Sequence, residues 1–274
     1  MVAIDIDRVS ALIRDVAAAE IMPRWRNLAS ADIERKSHAG DLVTVADRAA
    51  EIALAELLRP LVPGSVVIGE EGVHANPDLV NAFRGDAPVW VLDPIDGTRA
   101  FTEGRTEFDV MVALVQSGRP LAGWIFAPAD DVLYAAEVGA GAICERGGRR
   151  VAVTRRTPPL ALDELQGIVT PQYFLNRRLP NPEPLRHRFR GFTRHTSAGH
   201  NYGRLMSGEA DFLINFSTNA WDHFPGLALV EAVGMHARRH DANPLDPLDK
   251  SGGILVAPDP ESWRVILDLL VPFS

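Results

Sequence analysis

Apolar residues recur every three to four positions at the start of the chain: Ile6, Val9, Leu12, Ile13, Val16, Ala17 and Ile21. That period predicts an amphipathic helix, limited at its far end by Pro23. A second helical face runs through Ala49, Ile52, Ala53, Leu57 and Leu58. Thr44 and Asp47 are spaced as a capping box at its start, and Pro60, Pro63 and Gly64 close it. The pattern then shortens. Residues 66–68 and 89–92 are apolar runs that read as buried strands, and residues 110–115, 121–126, 132–136 and 142–144 read as a meander of adjacent strands. Residues 154–194, rich in Pro and Arg, show only a strand at 167–170. Beyond them the pattern predicts a helix over 198–207, a strand over 211–216 and a helix through 227–233 with Asp222 at its head. A strand over 252–256 and a C-terminal helix opened by Asp259-Pro260-Glu261 follow. The result is an α/β (α+β layered) chain of alternating helix and sheet layers. It reads as one domain over 1–274, with a weak seam near 153 that would divide it into 1–153 and 154–274.

Four places gather acids where one predicted element meets the next: Asp41 to Asp47, Gly69-Glu70-Glu71, Asp93-Pro94-Ile95-Asp96-Gly97-Thr98, and Trp221-Asp222. Strand exits in layered α/β proteins are where sites form. In the third, two carboxylates straddle a proline that cannot donate a hydrogen bond, so the strand is expected to stop there and the turn to aim both acids at one point. Hard oxygen ligands at one point suit Mg²⁺. Gly97 lets the backbone approach a ligand, and the amides of Gly97 and Thr98 would face a phosphate. Each piece alone has a plainer reading. Asp-Pro and Asp-Gly are turn pairs, Glu70-Glu71 suits a solvated loop, and Trp221-Asp222 suits a core aromatic followed by a cap. It is the ordered set that points to chemistry.

Composition narrows the class. With 36 acids against 28 Lys and Arg, the net charge is -8 and nothing favours general nucleic-acid binding. A single cysteine, Cys144, makes an internal disulfide impossible and reads as a buried small apolar residue. The first residues carry Asp5, Asp7 and Arg8, unlike a signal peptide, and no apolar run is long enough to span a bilayer, so a cytoplasmic protein is expected. His236 and His240 lack a third ligand for zinc, and Gly139-Ala140-Gly141 is too short for a dinucleotide loop.

The four acidic motifs in this order resemble the inositol monophosphatase family, across nearly the whole chain. The resemblance implies an αβαβα sandwich, usually a homodimer, that hydrolyses a small phosphate monoester with a metal-activated water and is sensitive to lithium. It implies two or three Mg²⁺ ions held by Glu70, Asp93, the carbonyl of Ile95, Asp96 and Asp222, with Asp47, Glu70 and Thr98 as catalytic residues. Gly97, Thr98, Asp96, Asp222, His200 and Asn215 would meet the substrate. Asn215 stands where inositol-specific members carry an acid, which counts against myo-inositol; histidinol phosphate, 3′-phosphoadenosine 5′-phosphate and fructose 1,6-bisphosphate are rivals. His200 or Asn201 could contact the leaving group or simply pack. Lys36 could neutralise the site or face water. Arg99 could bind a second anion or simply face water, whereas Arg177, Arg178, Arg186 and Arg188 read as a solvated loop. A non-catalytic metal-binding relative is the reading from another class; Thr98 and Asp47, which such a protein would not need, favour the enzyme.

Overall fold

The computed structural model describes residues 4–36, 42–155, 161–169, 187–193, 196–215, 218–249 and 252–270. Asp41, Thr170, Arg177, Arg178 and Arg186 lie outside them. Helix α1 (Ile6–Val16) continues as a π turn through Ile21, so its apolar stripe runs unbroken to the residue expected. After a short hairpin of β1 (Ile33–Arg35) and β2 (Leu42–Thr44), helix α2 (Val45–Leu58) starts on the Thr44–Asp47 capping box. Glu70-Glu71 is no loop. β3 (Val66–Gly69) ends there and the two acids form the first turn of α3 (Glu70–Ala75).

A seven-stranded sheet follows in the order β3-β4-β5-β6-β7-β8-β9. Its members are β4 (Val89–Asp96), β5 (Asp109–Gln116), β6 (Arg119–Ala127), β7 (Val132–Glu137), β8 (Gly141–Arg146) and β9 (Arg149–Ala152). The meander thus has one strand more than the pattern showed, because β9 is exposed throughout and carries no buried face to mark it. Pro94 does not end its strand. The β4–β5 ladder is interrupted after Asp93↔Met111 and resumes at Asp96↔Asp109, so the proline sits in an irregularity, where a missing N–H costs no ladder bond. Cys144 is half-buried on β8 and hydrogen-bonded to Tyr134, less enclosed than expected.

Helix α4 (Thr98–Thr102) leads from β4 toward β5. The later residues form a five-stranded sheet ordered β11-β10-β12-β14-β13, from β10 (Gln166–Val169), β11 (Gly191–Thr193), β12 (Phe212–Asn215), β13 (His236–Arg239) and β14 (Ile254–Ala257). Helices α5 (Ala198–Ser207), α6 (Ala220–Ala232) and α7 (Pro260–Leu270) complete the described elements. Helix α6 begins two residues earlier than its acid, so Asp222 lies in the first turn and Asn219 is the residue before the helix.

Both faces of β5 are buried, which is why its sequence is continuously apolar. Val110, Val112 and Leu114 pack with α1 and α2 residues such as Ile13 and Leu54. Met111, Ala113 and Val115 share a second core with Tyr202 of α5, Phe224 of α6 and Leu213 and Val256 of the smaller sheet. The other face of that sheet packs on Trp263 and Ile266 of α7. The layers therefore run α1/α2, large sheet, α5/α6, small sheet, α7: the αβαβα arrangement. No helix among the described residues is long and apolar enough to cross a membrane.

Candidate active site

The acids of the site come from four separate stretches, and the sheet order explains how they meet. β3 and β4 are parallel neighbours, so Glu70 and Asp93 leave the large sheet at the same edge. Asp96 pairs with Asp109 on β5. Asp222, in the first turn of α6, arrives from the layer beneath.

Asp93 is buried, and it and Glu70 act on each other. Burial first, then the charges of Glu70, Asp96 and Asp222, push Asp93 well above the ordinary carboxylate range. Burial and the charges of Asp109 and Asp222 raise Asp96 to about 8. Glu70 is raised as well, by burial and Asp222, although Lys36 pulls the other way. Asp93 feels the other three, and Asp222 acts on Glu70, Asp93 and Asp96, so the four carboxylates lie within electrostatic reach of one another. Ile95 N–H donates to Asp93 Oδ1 at 3.1 Å, which leaves the Ile95 carbonyl to accept the Thr98 hydroxyl at 3.1 Å.

Lys36 is not a surface lysine. Its side chain is 3% exposed, its ammonium lies 2.7 Å from Glu70 Oε1 and it also bonds Glu71. Burial alone would lower it, but the two glutamates raise it, so it is firmly charged. One fixed cation answers part of the acidic charge. Among the described residues, no three Asp, Glu, His or Cys side chains are already closed around one coordinating point. The acids stand side by side, tied to Lys36, to Gly199 and to one another.

Asp47 does two things at once. Its Oδ2 accepts from Thr44 N at 2.8 Å and Thr44 Oγ1 at 2.5 Å, completing the cap, while its Oδ1 is 3.4 Å from the Thr98 hydroxyl. Burial raises it to about 7, against the lowering effect of the Thr44 bonds. Gly97, which precedes α4, has φ +92, and a Cβ there would lie 2.6 Å from the Glu107 carbonyl. Only glycine fits this left-handed, crowded position.

Two acids escaped the pattern. Glu51 of α2 reads as one polar position on a helix, yet its carboxylate accepts the N–H groups of Glu71 at 2.9 Å and Gly72 at 2.8 Å, holding the first turn of α3. Gly69 is the space that carboxylate fills: a Cβ there would lie 2.1 Å from it. Asp109 hides in an apolar strand and is 2% exposed. A charged residue that opens an otherwise buried strand was the available signal. His200 Nδ1 lies 2.5 Å from Asp109 Oδ2, so His200 does more than pack. Asn201 turns inward, fully buried, its oxygen accepting from Thr196 N at 3.2 Å. Asn215 is buried at the end of β12, Trp221 is buried beside Asp222, and Arg99 and Arg188 are exposed.

A layered αβαβα fold with acids converging at the strand exits of its larger sheet defines a class of carboxylate-centred hydrolases. The chain belongs to the inositol monophosphatase family, whose model matches residues 5–271. It is 31% identical over 206 residues, 74% of this chain and 73% of the other, to the fructose-1,6-bisphosphatase/inositol-1-monophosphatase of Thermotoga maritima. To the 3'(2'),5'-bisphosphate nucleotidase CysQ of Escherichia coli K12 it is 30% identical over 247 residues, 88% of this chain and 93% of the other. An inositol monophosphatase structure from Zymomonas mobilis superposes with a TM-score of 0.76 at 28% identity, covering 96% of each chain. Such relatives are phosphatases, and this chain is an enzyme of their type, a phosphoric monoester hydrolase.

Proposed function

We propose that the chain is a Mg²⁺-dependent phosphomonoesterase acting on a small phosphorylated alcohol. The observation that carries the reading is the approach of Glu70, Asp93, Asp96 and Asp222 from two places at the large-sheet edge, the β3–α3 junction and β4, and from one helix beneath. Burial first, and then repulsion from neighbouring acids, raise Glu70, Asp93 and Asp96, a condition that a divalent cation relieves. The donors are all hard oxygens. Glu70, Asp93, the Ile95 carbonyl, Asp96 and Asp222 would hold two or three Mg²⁺ ions. Bound there, the metal supplies positive charge for the phosphoryl oxygens and makes water acidic enough to act as a nucleophile near neutral pH.

The chain's own residues do the rest. The Thr98 hydroxyl and the Asp47 carboxylate, 3.4 Å apart, orient the attacking water, with Glu70 beside them. Asp47, raised to about 7, can take a proton near neutral pH. Gly97 and Thr98 bring backbone amides close to the phosphoryl group. Asp96, Asp222 and His200 flank the leaving alcohol. The names of its relatives span inositol, fructose and nucleotide phosphates, and the substrate belongs to that range. A homodimer and inhibition by lithium follow from the same reading.

The test is hydrolysis of p-nitrophenyl phosphate by pure protein with Mg²⁺ and with EDTA, beside calorimetric titration of Mg²⁺ into metal-free protein. Metal-dependent turnover and metal binding are expected. Binding without turnover would overturn the enzyme reading in favour of a non-catalytic metal-binding member.

A further inference from the structure

We infer that Asp109 and His200 form a recognition pair for the leaving alcohol, a specificity-determining feature outside the carboxylate cluster; this rests on the phosphatase reading above. Asp109 opens β5 and points to the sheet face that α5 covers. Its Oδ2 accepts the Ser197 hydroxyl at 3.0 Å and meets His200 Nδ1 at 2.5 Å. With Nδ1 committed to a buried carboxylate, the orientation of the ring is fixed and the Nε2 edge is what remains for another partner. Among the described residues no protein group bonds that nitrogen.

The edge has somewhere to look. A pocket of 220 Å³ lies between α5 and the large sheet, lined by Asp109, Gly199, His200, Arg204, Tyr134 and Arg146 among others. The pocket adjoins the acidic cluster through Gly199, which lines it and whose N–H donates to Asp96 Oδ2 at 2.5 Å. A leaving group attached to a phosphate at the acids would extend past Gly199 into this space.

The pair's structural role does not exhaust it. The start of α5 is already capped by Ser197, whose Oγ accepts from His200 N at 3.2 Å, and already fastened to Asp96 through Gly199. Asn215, by contrast, is 6% exposed and does not line this pocket. The lining mixes imidazole, guanidinium and carboxylate with an apolar wall. That suits a compact alcohol carrying a further hydrogen-bonding group beside the ester; a plain aromatic leaving group offers the imidazole nothing.

The experiment compares kcat/KM for glycerol 2-phosphate and inositol 1-phosphate with that for phenyl phosphate, in the wild type and in His200→Ala, His200→Gln and Asp109→Asn. Thermal unfolding confirms that each variant is folded. In His200→Ala the alcohol-to-aryl ratio is expected to fall at least about tenfold, mainly through KM, the size of effect an unpaired polar contact produces. His200→Gln, whose amide reaches the Nε2 position, should restore part of the ratio. Asp109→Asn should lower it by releasing the ring. A ratio within twofold of wild type in His200→Ala, or parallel loss on all substrates, overturns the pair's role while leaving the phosphatase reading intact. No Mg²⁺-dependent turnover of any ester by the wild type would sink that reading first, and this inference with it.

Discussion

Asp96 and Asp109 stand opposite each other on paired strands, and consecutive residues of one helix start divide their carboxylates between them. Gly199 N–H takes Asp96, while Ser197 and His200 take Asp109. Two carboxyl groups are tolerated side by side because each is met by donors from the same turn of α5. That turn belongs to the second half of the chain, so the acids of the first half are finished only when α5 docks on them.

Replacing Asp96 by Asn tests the metal assignment. The amide keeps an oxygen for Gly199 but removes one member of the repelling cluster. The metal-free variant is expected to melt higher than wild type. Turnover of p-nitrophenyl phosphate is expected to fall by more than about 100-fold, beyond the usual cost of disturbing a ligand's support. Circular dichroism checks the fold, and wild-type activity would refute the role.

Stability should depend on pH in a direction opposite to the common acid-labile pattern. Asp47, Glu51 and Asp96 are raised to about 7, 7 and 8 in the folded chain, from ordinary values of 3.8, 4.5 and 3.8. Between those limits the folded state binds more protons than the unfolded one, so metal-free stability falls as pH rises from about 4 to about 8. Mg²⁺ relieves the same repulsion and should therefore raise Tm more at pH 8 than at pH 5. Melting curves at both pH values, with EDTA or Mg²⁺, decide it; equal shifts would count against a carboxylate metal site.

Glu51 should matter to metal binding without touching metal. Removing it in Glu51→Ala leaves the Glu71 and Gly72 amides without their acceptor, at a cost of about 1–2 kcal/mol for a lost cap. Because the turn it holds also carries Glu70, Mg²⁺ affinity is expected to drop about 10- to 100-fold. Glu51→Gln, which keeps an acceptor, should fall between. Calorimetric titration and denaturant unfolding measure the two effects separately.

Gly97→Ala should destabilise by about 1–3 kcal/mol, since the position combines φ +92 with a carbonyl 2.6 Å from the new Cβ. A lower urea midpoint with unchanged slope is the expected reading.

The layer order was legible because α1 and α2 carry apolar stripes at helical period and the central strands of the large sheet, such as β5, are buried on both faces and read as continuous apolar runs. The capping box at Thr44 and the helix over 198–207 were equally local, fixed by a few neighbouring residues. So were the four acidic motifs, which are turns and strand ends.

What the chain pattern could not reveal was partnership across layers. Nothing near Glu51 in sequence says that its carboxylate fills the space above Gly69. Nothing near Lys36 says that it will be enclosed between Glu70 and Glu71, 34 and 35 residues away. Asp109 and His200 are 91 residues apart, and meet only because α5 packs on the sheet face toward which Asp109 points. Local sequence determined which elements form and which residues can do chemistry, since period, caps and turns act over a few residues. Which acids face one another, which are answered by Lys36, and which side chain looks into the pocket were decided by tertiary packing, because charge and hydrogen bonding act through space and are indifferent to separation along the chain.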